Sequence, residues 1–151
     1  MDNLMRKLPI GIQTFEDIRR KNYLYVDKTA LVWRMANMGK PYFLSRPRRF
    51  GKSLLLSTFE SYFLGKKELF EGLAIEKMET EWKEYPVLHI DLNAEKYDKP
   101  EKLNEILSNH LTQWELKYGK GIDERTLSSR FGGVIRRACE QTGQQVEIGR
   151  A

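Results

Sequence analysis

The stretch PYFLSRPRRFGKSLLLSTFESYF, residues Pro41 to Phe63, decides the fold class of this chain. It opens with a short apolar segment, Tyr42 to Leu44, which predicts a β-strand, and continues through a basic turn into Gly-Lys-Ser. The residues that follow predict an amphipathic helix ending at Gly65. The apolar face of that helix is expected at Leu55, Leu56, Phe59, Tyr62 and Phe63. A strand, a basic turn and a helix in that order are typical of a phosphate-binding loop.

The three residues Gly51, Lys52 and Ser53 each have a chemical role in such a loop. Gly51 lets the backbone approach a phosphate, the Lys52 ammonium reaches the β- and γ-phosphates, and the Ser53 hydroxyl can ligate Mg²⁺. The N–H groups and positive dipole end of the following helix point at the anion. The general pattern G-x-x-x-x-G-K-[ST] requires glycine at the position of Arg46, so the strict motif is broken. A basic strand-to-helix turn without a ligand is the alternative.

Length and composition indicate a globular protein with one domain. The chain has 151 residues, of which 40% are hydrophobic and 31% charged, and a net charge of +5. No apolar run approaches the roughly 20 residues of a membrane helix, and the N-terminus lacks the apolar core of a signal peptide. A single cysteine, Cys139, excludes an internal disulfide. These features predict a cytoplasmic protein without a membrane partner.

The remaining sequence alternates between helical and strand patterns, which implies parallel strand pairing with right-handed crossovers. Asp27 is expected to cap the second helix. The predicted elements are a short helix or turn near Phe15 to Arg20, an extended segment or small strand at Tyr23 to Val26, a helix from Lys28 to about Met38, a strand at Val87 to Leu92, a helix from Pro100 to about Lys117, a helix from Asp123 or Leu127 to Glu140 interrupted or bent near Gly132 and Gly133, and a third strand starting within Gln144 to Ile148.

Several of these motifs together resemble the bacterial AAA-ATPase-like family. The segment RPRRFGKSLLLSTF is similar to the phosphate loop of that family, R-P-R-R-F-G-K-S, in which arginine replaces the first glycine. Further similar segments follow in family order: LPIGIQTFEDIRR, NYLYVDKTALV, YFLGKKELFEGLAI and PVLHIDLN. The resemblance covers about residues 8–118 and implies an α/β fold, a P-loop NTPase-like parallel sheet in three layers with flanking helices. Members often carry a C-terminal nuclease-like domain of the PD-(D/E)XK type, which has no counterpart in this sequence.

The resemblance implies ATP and Mg²⁺ as ligands, with Mg²⁺ reached by Ser53 through the nucleotide. The phosphate-binding residues would be Arg46, Pro47, Arg48, Arg49, Phe50, Gly51, Lys52, Ser53 and Leu54. The segment YVDKT, which precedes the phosphate loop in the family, suits an adenine pocket. That pocket would be formed by Phe15, Ile18, Tyr25 and Asp27. N-terminal packing, with Asp27 as a helix cap, is the alternative role of these residues.

The acid of a P-loop hydrolase is not recognised at its expected position. Hydrolysis needs a carboxylate that positions Mg²⁺ at the end of a second strand. The resemblance places that strand after Gly143, with four apolar residues before Asp-Glu, but the chain reads EIGRA at residues 147–151. We therefore expect residues 1–146 to be the N-terminal part of the family domain, truncated before the Walker B strand, and residues 147–151 to be a divergent tail. Asp91, after an apolar strand, is an alternative candidate for the acid.

Nucleotide binding through the phosphate loop, without competent hydrolysis in this chain, is the favoured function. One alternative is a nucleic-acid-associated, non-catalytic module, which the basic net charge and the nuclease-like domains of relatives favour. The second alternative is a remnant of an ATPase that binds no ligand. An unpaired sheet edge in a truncated domain also predicts self-association.

Overall fold

The computed structural model of the chain describes residues 5–45, 51–92 and 98–150. Within these ranges the backbone forms five α-helices, two short 3₁₀ helices and two β-strands. The chain divides into two compact units, Met1–Glu84 and Tyr85–Ala151. Each unit has a hydrophobic core of its own.

The first unit is helical in its described part. Its elements are α1 (Phe15–Arg20), α2 (Thr29–Asn37), α3 (Lys52–Phe63) and two 3₁₀ helices at Lys67–Phe70 and Ala74–Lys77. The predicted bounds of α1 and the predicted start of α3 are confirmed. Gly65, with a φ of +69°, follows the end of α3 as expected for a glycine that terminates a helix.

Aromatic rings fill the core of the first unit. The ring of Phe70, which is fully buried, lies 4.8 Å from the ring of Phe15 and 5.3 Å from that of Trp82. The broad apolar face predicted for α3 is not its most buried face. The buried residues of that helix are Thr58, Ser61 and Tyr62, whereas the other predicted positions are half-buried. α1 packs against α3, and its first N–H group, that of Phe15, is hydrogen-bonded to the Ser57 hydroxyl.

The strand predicted at Tyr42 to Leu44 is not formed. Residues 41–45 have no regular secondary structure, and Phe43 is 91% exposed. A strand is stable only when a neighbouring strand satisfies its backbone hydrogen bonds. The sheet in the described ranges has two strands, and both come from the second unit. The described residues therefore show a small parallel sheet and do not show the predicted three layers.

The second unit has α/β order, with β1 (Val87–Ile90), α4 (Pro100–Tyr118), α5 (Leu127–Thr142) and β2 (Glu147–Arg150). The two strands pair in parallel, with Leu88 opposite Ile148, which confirms the predicted parallel pairing. Residues 147–150, which were expected to belong to a divergent tail, form β2. The domain boundary after residue 146 stays a prediction.

An interruption or a bend was predicted in α5 near Gly132 and Gly133. The interruption is wrong, because the helix is continuous from Leu127 to Thr142. A capping box between Thr126 and Ser129 fixes its start. Gly133 is buried, and the side chain of Glu124 occupies the space that a Cβ atom at this position would take. Gly133 is therefore a packing position and not a helix break. In the described part of the chain, no helix combines the length and apolarity needed to span a bilayer.

Candidate functional site

The predicted phosphate-binding turn leads into α3 through a glycine in the left-handed conformation. Gly51 has a φ of +79°, which residues with a Cβ atom rarely adopt. As the N-cap it has no side-chain acceptor, and no side chain in the described ranges caps this end of α3. The first backbone bond of the helix is donated by Leu55 to the Gly51 carbonyl, at 2.9 Å. The N–H groups of Lys52, Ser53 and Leu54 therefore remain available to an anion.

The Lys52 and Ser53 side chains are also unengaged in the described part of the chain. Lys52 is exposed and Ser53 half-exposed, and neither makes an ion pair or a side-chain hydrogen bond with the described residues. A free hydroxyl fits the predicted role of Ser53 as a ligand of nucleotide-bound Mg²⁺. Within residues 5–45, 51–92 and 98–150, no cluster of three His, Cys, Asp or Glu side chains could hold a metal. Arg46, Pro47, Arg48, Arg49 and Phe50 lie outside the described residues.

The residues predicted for an adenine pocket differ in their exposure. Phe15 and Ile18 are fully buried, and the Phe15 ring packs edge-on against Tyr25 with centroids 5.1 Å apart. Tyr25 is half-buried. Burial raises the pKa of Tyr25, and a hydrogen bond with the Thr58 side chain acts in the opposite direction. Phe15 and Ile18 are thus core residues that a base at the surface cannot contact. Tyr25 is exposed enough for such a contact.

Asp27 bonds to the first residue of α2, although the N-cap position predicted for it belongs to Lys28. One carboxylate oxygen accepts the Thr29 N–H at 2.9 Å, and the other accepts the Ala74 N–H at 2.7 Å. Burial acts to raise the pKa of Asp27, but the hydrogen bonds from Thr29 and Ala74 outweigh it and lower this pKa below its ordinary value. Asp27 is exposed at the surface of the first unit. Its contact with a base stays a prediction.

Two hydroxyl residues of α3 that the sequence did not single out bond to the same carbonyl, and one of them, Ser57, also joins α3 to the N-terminal part of the chain. The Ser57 hydroxyl accepts the Phe15 N–H at 2.9 Å and donates to the Leu54 carbonyl at 2.9 Å. The Thr58 hydroxyl donates to the same carbonyl at 2.7 Å. Serine and threonine commonly bond to a carbonyl one helical turn earlier, so the bonds to Leu54 follow from local sequence, whereas the bond between Ser57 and Phe15 does not.

Asp91, the alternative candidate for the hydrolytic acid, follows β1 in the second unit and is exposed. Its backbone carbonyl lies 3.1 Å from Nε2 of His110, whose ring stacks on Trp114 with centroids 5.6 Å apart. Because a carbonyl can only accept, His110 donates through a protonated Nε2. A catalytic role for Asp91 stays a prediction.

The second unit also contains an open cleft of about 430 Å³ that the sequence did not predict. Its wall is formed by Gly121, Ile122, Asp123, Glu124, Ser129, Gly132, Gly133 and Arg136. The two carboxylate oxygens of Glu124 accept from the Arg137 guanidinium at 2.7 and 2.8 Å. The Arg137 side chain is only 16% exposed.

The Glu124 carboxylate should make stability depend on pH in the acid range. Hydrogen bonds from Arg137 lower the pKa of Glu124 from 4.5 to about 2. Burial acts to raise this pKa, and a backbone hydrogen bond from Gly121 helps to lower it. A lowered pKa in the folded state gives stability that is present above pH 4.5 and is lost as the pH falls towards 2. We expect the melting temperature of Glu124→Gln to fall less steeply than that of the wild type across this interval. Glu105→Gln, at an exposed carboxylate on α4, is the control. Parallel curves for the wild type and Glu124→Gln would contradict the prediction.

Comparisons with known proteins agree with the resemblance seen in the sequence. A family model described as "Predicted AAA-ATPase" matches residues 9–148. The chain is also 40% identical over 144 residues to an uncharacterized protein in the vnfD 5' region of Azotobacter chroococcum mcd 1. That alignment covers 95% of this chain and 28% of the relative, so the chain spans less than a third of the relative's length. No solved structure matches this chain. Because the matched residues run from before α1 into β2, the protein belongs to the predicted AAA-ATPase family.

Proposed function

We propose that this chain binds the triphosphate of ATP, together with Mg²⁺, at the N-terminus of α3. The observation that carries the proposal is the first turn of this helix, which follows a left-handed Gly51 and is capped by no side chain of the described residues. It carries the exposed Lys52, which forms no ion pair with any residue that the structure describes. Free N–H groups, the positive end of the helix dipole and a lysine together attract a phosphate. Membership of a predicted AAA-ATPase family suggests nucleotide binding and supports the same assignment.

Each residue of the turn has a separate role in the proposed complex. The Lys52 ammonium lies between the β- and γ-phosphates, and the N–H groups of Ser53 and Leu54 donate to phosphate oxygens. The Ser53 hydroxyl ligates Mg²⁺, which offsets the charge of the β- and γ-phosphates. The arginines at positions 46, 48 and 49, which precede Gly51 in the sequence, add positive charge. The fold expected around this turn, a three-layer parallel sheet with flanking helices, is part of the proposal.

The adenine base is proposed to bind beside Tyr25 and Asp27, the two predicted pocket residues that reach the surface. Phe15 packs beneath the Tyr25 ring, and Ile18 is buried in the same unit. Their role in this proposal is to hold the pocket in shape, because neither side chain is exposed. An aromatic ring with a nearby carboxylate offers a stacking surface and an acceptor for the exocyclic amine of adenine.

We assign nucleotide binding, and no hydrolysis, to these 151 residues. The carboxyl end of β2 carries Arg150, whereas a P-loop hydrolase carries there the acid that positions Mg²⁺. Asp91 follows β1, but the next residue is Leu92 and not a second carboxylate. The activity of a longer protein that contains this domain would depend on further residues.

Replacing Lys52 tests the proposed phosphate site. We expect Lys52→Ala to weaken Mg–ATP binding about tenfold or more, because a charged hydrogen bond contributes roughly 1.5–3 kcal/mol. Titration calorimetry on the full chain measures the dissociation constant. Lys77→Ala, which removes an exposed lysine from a 3₁₀ helix of the same unit, should bind ATP like the wild type.

Equal ATP affinity in the wild type and Lys52→Ala would place the nucleotide elsewhere and reject this site. A wild type that binds no nucleotide would favour the ATPase remnant that binds nothing. Phosphate release, measured on the same samples, should not exceed that of Lys52→Ala. If it does, Asp91→Asn shows whether the candidate acid supports turnover.

A further inference from the structure

We infer that Ser57 and Thr58 are positioning residues that couple the N-terminal segment, residues 13–25, to the phosphate-binding turn. This inference rests on the proposed function. Neither side chain belongs to the proposed phosphate contacts, which are made by the first three residues of α3. Both hydroxyls act through the Leu54 carbonyl, which they share as a hydrogen-bond acceptor.

Ser57 supplies the acceptor that the start of α1 lacks. Thr14, the N-cap of α1, makes no capping bond with its own side chain. The Ser57 hydroxyl, from a different helix, instead accepts the Phe15 N–H at 2.9 Å. Its oxygen also lies 3.3 Å from the Gln13 carbonyl. Since the first N–H groups of a helix need an external acceptor, the start of α1 depends on the position of α3.

The Leu54 carbonyl receives two side-chain hydrogen bonds in addition to its place in the helix. Ser57 donates to it at 2.9 Å and Thr58 at 2.7 Å. Bonds of this kind tilt a carbonyl and adjust the geometry of the helical turn that contains it. Leu54 also carries one of the free N–H groups proposed to bind phosphate. The orientation of this turn is therefore set in part by Ser57 and Thr58.

The bond from Ser57 reaches both parts of the N-terminal segment through Phe15. Ser57 accepts the Phe15 N–H at the start of α1, and the Phe15 ring packs edge-on against Tyr25, in the stretch before α2, with centroids 5.1 Å apart. The hydrogen bonds of Ser57 therefore contribute to the order of the phosphate-binding turn and also to the order of the N-terminal segment. Coupling between two sites is reciprocal, so a ligand that orders one must favour the ordered form of the other. A triphosphate bound at α3 should then protect α1, which it does not touch.

Hydrogen exchange on the full chain, with and without Mg²⁺ and inorganic tripolyphosphate, tests this coupling. In the wild type we expect the ligand to slow exchange in residues 14–20. In Ser57→Ala that effect should disappear, while α3 stays protected at saturating ligand. The tripolyphosphate dissociation constant should rise about three- to tenfold, the equivalent of one lost hydrogen bond. Alanine favours helix more than serine does, so a weakened α3 cannot cause this loss.

Three further variants make the result specific. Ser57→Thr keeps the hydroxyl and should restore both the affinity and the protection of residues 14–20. Thr58→Val keeps the shape of the side chain, removes the second hydroxyl and should weaken binding in the same direction. Ser128→Ala, at an exposed serine of α5, should behave like the wild type. If Ser57→Ala does not fold, Thr58→Val and Ser57→Thr still provide the comparison.

The outcomes separate this inference from the proposed function. In one outcome, Lys52→Ala no longer binds tripolyphosphate, whereas Ser57→Ala and Thr58→Val match the wild type in affinity and in protection of residues 14–20. That outcome overturns the coupling and leaves the phosphate site in place. If the wild type itself binds no tripolyphosphate, both are overturned. Loss of ligand-induced protection in Ser57→Ala, restored in Ser57→Thr, supports the coupling.

Discussion

Phe70→Ala should lower the free energy of unfolding of the first unit by about 4 kcal/mol, within the range for a buried phenylalanine replaced by alanine. Phe70 is fully buried, and its ring contacts Phe15, Tyr62 and Trp82. Removing it leaves a cavity between three rings that come from separate segments and cannot all move inward together. Urea denaturation followed by tryptophan fluorescence measures the change, since Trp82 lies beside the altered position.

Phe43→Ala is the matched control for this substitution. Phe43 is 91% exposed and lies in the stretch that was expected to form a strand. Its replacement should change the free energy of unfolding by less than about 0.5 kcal/mol. A similar loss in both variants would show that phenylalanine content, and not the aromatic core, determines the stability of this unit. A loss below about 1 kcal/mol for Phe70→Ala would contradict the assigned core.

Arg130→Ala should destabilise the second unit by about 3 kcal/mol, because it leaves a buried carboxylate without its main partner. The Arg130 guanidinium lies 2.6 Å from Glu115, and their side chains are 13% and 6% exposed. It also donates to the Ser108 and Thr112 hydroxyls at 2.8 and 3.2 Å. One arginine on α5 thus holds three side chains of α4. Urea denaturation followed by circular dichroism, which reports both helices, measures the loss.

Replacing both members of this ion pair shows whether the stability lost in Arg130→Ala comes from an unpaired buried charge or from lost packing. Arg130→Met combined with Glu115→Leu should recover much of the stability lost in Arg130→Ala, because an apolar pair of similar volume can replace a buried ion pair. Arg125→Ala, at an exposed arginine before α5, should be close to neutral. If the double variant is as unstable as Arg130→Ala, packing of the arginine stem, and not the unpaired Glu115 carboxylate, accounts for the effect.

The helices of this chain could be predicted from local sequence, whereas the arrangement of the sheet could not. Periodic apolar residues and a proline at the first position were sufficient for α4, and the start of α3 followed from the glycine before Lys52. The apolar run at Tyr42 to Leu44 carries the same local signal as a strand, but a strand also needs a partner that may be far away in sequence. The partner of β1 illustrates this, since it lies beyond two helices.

The backbone geometry at the start of α3 was also predictable, because it depends on neighbouring residues. Gly51 has the left-handed conformation that a glycine before a phosphate-binding helix suggests. Ser57 and Glu124 were not predictable, because their partners Phe15 and Arg137 lie 42 and 13 residues away. A serine within a helix, or a glutamate before one, has no local feature that distinguishes a tertiary contact from a solvated side chain.

The parallel pairing of β1 with β2 has a consequence for the order in which the chain folds. Leu88 pairs with Ile148, so the ribosome adds about 60 residues after β1 before its partner exists. At roughly 5–20 residues per second, β1 waits several seconds with unpaired backbone groups. The contacts between α4 and α5 span a shorter stretch of sequence and incur less loop-closure entropy, so this helical pair can form first. Closure of the sheet is then the last step in the folding of the second unit.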